Sequence, residues 1–255
     1  GMAETIKAKL AHFGPDGIEP GDILVTNDAY ITGSHLHHMT FSLPIFEDGE
    51  LIAFTCCMAH WPDIGGKLDG MTTDIFSEGI QIPILKYQKS GVVNQDLIDF
   101  LHMNVRLADR AMGDLRAQLT AIKTGERRFL ELVERYGRAD VEASIAAIMD
   151  QSETAARART VAIPDGVYEA ESFMDDDGVD IAEHVPIKVR VKVRRDEMTI
   201  DLSDVSKQVR GFYNSGITTG YACAQVAFKC LTSPTDYPIN DGSFRNLQTI
   251  VPEGR

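Results

Sequence analysis

Only four cysteines occur in 255 residues, and no two form a Cys-x-x-Cys pair, so neither a disulfide framework nor a thiolate metal knuckle organises this chain. Cys56 and Cys57 are adjacent on a strand-like run and point to opposite faces, Cys56 toward the core, while Cys223 and Cys230 lie in an apolar, helix-like stretch. With no signal peptide, reduced thiols in a cytoplasmic protein are the expectation. No apolar run approaches the roughly 18 residues of a membrane span. Basic residues are outnumbered, 25 against 38 acidic, and the net charge of −13 argues against nonspecific binding to nucleic acid or anionic membrane. The sequence also has no GxxxxGK[ST], no GxGxxG and no Gly-x-Ser-x-Gly elbow. Any ATP chemistry must therefore come from elsewhere.

What is present is a chain 44% hydrophobic, enough to bury a large core in one or two domains. Its most informative stretch is a hairpin. Residues 39–46 and 51–59 are apolar, β-prone runs on either side of Glu47-Asp48-Gly49-Glu50, and Asp-Gly between such runs is a strong hairpin signal. With Asp48 and Gly49 as the central turn residues, strict pairing sets Phe41 against Cys56, Leu43 against Phe54 and Ile45 against Ile52 on one face. Thr40 with Cys57, Ser42 with Thr55 and Pro44 with Ala53 fill the other. The same register sets His37 opposite His60.

Four of the seven histidines, His35, His37, His38 and His60, thus meet at the mouth of one hairpin. Imidazole is a common ligand of zinc and other transition metals, and a catalytic site needs three protein ligands and an open position. Together with Asp63 the four supply more than enough. The plainer alternative is that they cap strand ends and bond to backbone. Asp63, in His60-Trp61-Pro62-Asp63-Ile64-Gly65-Gly66, is a candidate ligand, imidazole orienter or general base, or else a turn cap. Asn27 and Asp28, leaving a short strand at Ile23–Thr26, are candidates to orient ligands or substrate, or make Asx turns.

Downstream, residues 80–87 read as a strand placed at an edge by Pro83. Helices are predicted over 95–103 and 108–136, the latter with a stripe of Met112, Leu115, Leu119 and Ile122 interrupted at Gly125. A further helix covers 139–159, and Pro164-Asp165-Gly166 closes the helical region. Strands follow at 167–173, 187–193 and 198–202, then a Gly-rich loop at 211–216 and a helix over 219–231. Asp175-Asp176-Asp177-Gly178 could bind calcium but lacks EF-hand spacing, and a solvated loop is the simpler reading. The predicted fold class is α+β, with mixed or antiparallel sheets, a β-hairpin metal site and long packing helices. Its predicted domains are 2–161, holding the site and the long helices, and 162–255, a β-rich subdomain with a C-terminal helix.

The segments GDILVTNDAYITGSHLHHMTFSLPIF, AHWPDIGG, TTDIFSEGIQIP and NVRLADRAMGDLRAQLTAIKTGERRFLELVERYG together resemble the hydantoinase B/oxoprolinase family. Relatives in it include the B-type component of ATP-dependent N-methylhydantoinase, 5-oxoprolinase and subunits of acetone and acetophenone carboxylases. The resemblance implies longer chains at both ends, so this one looks like the middle of a subunit, and Gly1 before Met2 looks like a tag scar. It implies metal ligands at His35, His38 and His60, with His38 standing where many relatives carry Asp. A site richer in nitrogen favours zinc over manganese or magnesium. A bulge or the end of regular pairing near Met39 would reconcile this set with the strict register. Asn104, Arg106 and Asp114 also match family motif positions, with an active-site, helix-surface or intersubunit role. The resemblance further implies a hydantoinase A-type partner that uses ATP, an oligomer, and a small carbonyl or cyclic-amide substrate of hydantoin or oxoproline type. Asp63 and Asp28 are the expected catalytic residues. A ketone carboxylase subunit and a non-catalytic scaffold are the alternatives.

Overall fold

The computed structural model describes residues 2–14, 16–32, 35–68, 71–232 and 239–254. The chain divides into two compact units, Gly1–Leu132 and Val133–Arg255. In the first, α1 (Met2–Phe13) precedes β1 (Ile23–Thr26), the four-residue α2 (Ala29–Thr32) and the hairpin of β2 (His38–Glu47) and β3 (Glu50–His60). A 3-10 turn at Ile75–Ser77, β4 (Leu85–Lys89), β5 (Val92–Val93), α3 (Gln95–Asn104) and α4 (Ala108–Tyr136) follow. The sheet runs β3-β2-β1-β4-β5, and every pairing is antiparallel.

Asp48 and Gly49 have φ of 46° and 84°, the two positive values that a two-residue hairpin turn requires. Next to the turn, Glu47 pairs with Glu50 and Phe46 with Leu51 as strict pairing demands. The register then slips between Ile45 and Phe46. Beyond the slip Phe41 faces Cys57, Leu43 faces Thr55, and His38 faces His60, which corrects the predicted pairing of His37 with His60. The irregularity predicted near Met39 lies at the other end of the strand. Its effect is to exchange the cysteines: Cys57 packs on the main core, and Cys56 shares the more polar face with Thr40 and Ser42.

The core face carries Met39, Phe41, Leu43 and Ile45, covered by Leu97 and Leu101 of α3 and by Met112, Leu115 and Ile122 of α4. Each such side chain contributes about 1.5–3 kcal/mol when fully buried. Helix α4 is continuous through Gly125, where an interruption was predicted. Gly125 is instead a contact point: a Cβ there would lie 2.6 Å from Cγ2 of Thr55, whose hydroxyl donates to the Ile122 carbonyl at 2.9 Å. The run from Ile80 joins the sheet only at Leu85, because the backbone of Ile82 is taken by Asn27 and Thr26.

The opposite face of the sheet meets α1. Lys9 is fully buried, its ammonium donating to Ser42 Oγ at 2.8 Å, the Thr40 carbonyl at 3.2 Å and the Leu24 carbonyl at 3.5 Å. Burial pushes its pKa down to about 7, partly opposed by the nearby Cys56.

The second unit contains α5 (Arg138–Thr160), β6 (Gly166–Met174), β7 (Val185–Arg194), β8 (Glu197–Asp201), α6 (Ile217–Thr232), a 3-10 turn at Asp241–Phe244 and β9 (Leu247–Ile250). Its sheet runs β6-β7-β8-β9, antiparallel up to β8 and parallel between β8 and β9. The fold is therefore α+β with antiparallel and mixed sheets. The change from helix to strand falls near Ala162, as the sequence texture indicates, but contacts divide the chain within α4. The reason is that α5 packs with the second sheet: Ala156 joins Val193, Met198, Ile200 and Phe228 in one core, and Asn246 Nδ2 donates to Thr160 Oγ1 at 3.0 Å. In the aspartate run, Asp177 accepts the amides of Val179, Asp180, Arg210 and Gly211, so its carboxylate ties two loops together. Among the described residues no helix is long and apolar enough to cross a membrane.

Gly125→Ala is expected to lower the urea midpoint of the protein. The helix-propensity gain of about 1 kcal/mol is outweighed by overpacking against Thr55 of about 1–3 kcal/mol. Adding Thr55→Ser, which removes the clashing methyl and keeps the hydroxyl, should recover most of the loss.

Candidate metal centre

Strand β2 begins at His38 and β3 ends at His60, so the ladder delivers one imidazole from each strand to the same end of the hairpin. The loop before β2 supplies two more. The His37 carbonyl accepts the amides of Met39 and Trp61, both at 2.9 Å, which holds this loop against the exit of β3. Asn27, fully buried, fixes its other side: Nδ2 donates to the carbonyls of Leu36 at 2.7 Å and Ile80 at 2.8 Å, and Oδ1 accepts the Ile82 amide. Asn27 is thus a bracket for the histidine loop.

The His35 ring lies 4.2 Å from that of His38, 5.0 Å from that of His60 and 5.5 Å from that of His37, between centroids. His37 stacks on His60 at 4.9 Å with an interplanar angle of 12°. One ligand nitrogen each from His35, His37 and His60 falls within a 4.8 Å group. Of the set expected from the resemblance, the structure brings His35 and His60 into this group and puts His37 in the third place. His38 stands beside it, with its ring centroid 5.7 Å from that of His60.

The electrostatics disfavour charge on His35, His37 and His38. Burial, then the neighbouring His38, His60 and His37, lower the His35 pKa to about 4. Burial and His60 also depress His37 and His38, with Asp63 partly opposing the shift at His37. The His35 Nε2 is buried and has no hydrogen-bond partner within the protein. A neutral imidazole with an unpartnered buried nitrogen is what a metal ligand offers, so the donor set fits a nitrogen-preferring divalent cation.

Asp63 makes the backbone contacts of a turn cap, one of the readings its sequence context offers. It is nearly fully buried; Oδ1 accepts the Gly65 amide at 3.0 Å and Arg106 Nη1 at 3.1 Å, while Oδ2 accepts the amides of Arg106 and Leu107. Burial alone would raise its pKa, but these donors outweigh burial and hold the carboxyl below its usual range. Both oxygens are engaged, so Asp63 clamps the segment after His60 to the start of α4. Arg106 completes the clamp by donating to the Gly66 carbonyl. Gly66 has φ of 66°, and a Cβ there would lie 2.5 Å from the Glu78 carbonyl oxygen, so the loop closes only with glycine.

Asp28 lies at the start of α2. Its Oδ1 accepts the Tyr30 amide at 3.0 Å, and its carbonyl accepts from Thr32, so it caps α2. Asn104 Nδ2 donates to the Phe100 carbonyl of its own helix. One residue that the sequence reading missed is Gln118 of α4. It accepts from Trp61 Nε1 at 2.8 Å and donates to the carbonyls of Met39 at 2.9 Å and Cys57 at 3.3 Å. Its signal is a lone amide within the apolar stripe between Leu115 and Ile122, where a buried polar group needs partners.

The family model described as hydantoinase B/oxoprolinase matches residues 1–255. The chain belongs to this family. Among its curated relatives, the beta subunit of the caprolactamase of Pseudomonas jessenii is 36% identical over 218 residues, covering 84% of this chain and 37% of its own. The acetophenone carboxylase delta subunit of Aromatoleum aromaticum is 26% identical over 248 residues, covering 95% of this chain and 36% of its own. The crystal structure of the ATP-dependent caprolactamase from Pseudomonas jessenii superposes with a TM-score of 0.91 at 31% identity, over 98% of this chain and 43% of the other. The chain therefore spans less than half the length of the hydantoinase B/oxoprolinase relatives it matches.

The depressed proton affinity of His35 has a stability consequence. Unfolded histidine takes up its proton near pH 6.5, whereas folded His35 does so only near pH 4. Between these values the unfolded state binds more protons, so stability falls as pH falls. Urea midpoints at about pH 7 and about pH 5 should therefore differ more for the parent than for His35→Gln. An equal difference would contradict the neutral-ring reading.

Proposed function

We propose that this chain is the metal-holding part of a B-type component in an ATP-dependent cyclic-amide hydrolase acting on hydantoin-like or oxoproline-like rings. The observation that carries the reading is the convergence of one ring nitrogen each from His35, His37 and His60, with His35 Nε2 buried and unpartnered. His35 and His60 are the ligands common to the geometry and to the family pattern, and His37 takes the third place. His38 is the second reading for that place, because it is the direct cross-strand partner of His60 and lies against His35.

The chemistry that a bound divalent cation supplies at such a site is polarisation of a carbonyl or of a water. Zinc is the favoured ion on an all-nitrogen donor set, with manganese the alternative. The protein's own residues do the positioning. Asn27 and the His37 carbonyl set the loop, Gln118 holds the hairpin end, and the Asp63–Arg106 clamp fixes the segment after His60. The sequence has no GxxxxGK[ST] or GxGxxG motif for ATP phosphates. We assign ATP use to a hydantoinase A-type partner, which fits a family whose relatives carry subunit names. An ATP-dependent ketone carboxylase is the second functional reading, supported by the acetophenone carboxylase relative.

Metal analysis of the purified protein should find about one divalent ion per chain, lost in both His35→Ala and His60→Ala. Stoichiometric metal surviving both changes would defeat the assignment. His37→Ala and His38→Ala then separate the two third-ligand readings, since the true ligand's loss should weaken affinity more. With the ATP-using partner co-expressed, ATP-dependent opening of cyclic amides is expected; bicarbonate incorporation into ketones would select the carboxylase, and neither would leave a scaffold.

A further inference from the structure

The polar face of the first sheet holds a buried lysine that the proposed chemistry does not use. Taking an ammonium out of water costs several kcal/mol unless its protons find acceptors. Lys9 finds three, on two different strands: the Leu24 carbonyl of β1, and the Thr40 carbonyl and Ser42 hydroxyl of β2. An apolar side chain would bury as readily without that cost. What it would lack is direction, since three acceptors fix the ammonium, and through it α1, at one place on the sheet.

That place adjoins the histidines. Thr40 is two ladder pairs from His38 and His60, on the same face of β2 as His38. Helix α1 also packs against α2, which leads into the segment carrying His35. The histidine loop is thus held at its start by α2 and at its end by the Thr40 region of β2, and α1 touches both. Thr5, the other fully buried residue of α1, is polar as well.

We infer that Lys9 is a positioning residue for the histidine cluster: it locks α1 onto β1 and β2 so that both ends of the loop carrying His35 and His37 are fixed before a metal ion binds. This rests on the metal-holding reading above. Outer partners that orient metal ligands typically change affinity ten- to a hundred-fold when removed. Lys9→Met keeps the stem and removes the three donors.

The test is cobalt(II) titration of the full 255-residue chain, following the visible ligand-field bands. The parent should bind with a defined spectrum. Lys9→Met should bind roughly ten- to a hundred-fold more weakly with shifted bands. Ser42→Ala, which leaves the two carbonyls, should shift the spectrum in the same direction by less. A lower melting temperature with unchanged affinity and unchanged bands in Lys9→Met would overturn the inference and leave Lys9 as a fold contact only. If Lys9→Met does not fold, Ser42→Ala decides: unchanged bands and affinity overturn the inference, and shifted ones support it. A parent that binds no cobalt overturns the metal reading itself, and this inference with it.

Discussion

The register of β2 against β3 is the constraint from which the rest follows. Side chains alternate along a strand, so a shift of one residue on one strand changes every partner across the ladder. The slip between Ile45 and Phe46 leaves the apolar face of β2 on the core and changes what β3 brings to it. Cys57 and Ala59 then lie on the side of Met39 and Phe41, while Cys56 and Met58 join Thr40 and Ser42. The same slip carries His60 to His38. Once the strands are set, α4 can read the hairpin end through one amide: Gln118 bonds to backbone on both strands and to the Trp61 indole just beyond them.

Much of this architecture was legible in the residues. Asp48-Gly49 announces its turn because few other pairs tolerate positive φ twice in succession. The stripe from Met112 to Ile122 announces its helix because the period of an amphipathic helix is hard to mistake. Helix α1 gave no such sign, since its two fully buried positions, Thr5 and Lys9, are polar. Gly125 misled for a related reason: glycine in a helical pattern reads as a break, while here it marks where helix and strand come too close for a side chain. The slip at Ile45 is equally silent, because no residue type at that point demands it.

At the site, residue type identified the participants better than their roles. Four histidines near one turn signal convergence whatever the register. Asp63 and Asp28 both bond to backbone amides, the turn-capping alternative that each sequence context offered. A carboxylate between a glycine pair and a helix start is surrounded by free amides, and these claim its oxygens first. Asp177 repeats the pattern in the second unit, where four amides converge on one carboxylate. In this protein, buried aspartate is a joint between loops.

The reluctance of the imidazoles to charge also bears on the order of events as the protein matures. The rings of His37 and His38 lie 5.5 Å and 4.2 Å from that of His35, and the three would repel one another strongly if protonated. Kept neutral, they can be gathered by strand pairing and loop hydrogen bonds alone. The apoprotein can thus complete its fold with the ligands already assembled, unlike small domains in which the ion itself drives folding. On the proposed metal-holding reading, the ion arrives late, at a finished receptacle, and can be lost and regained without unfolding.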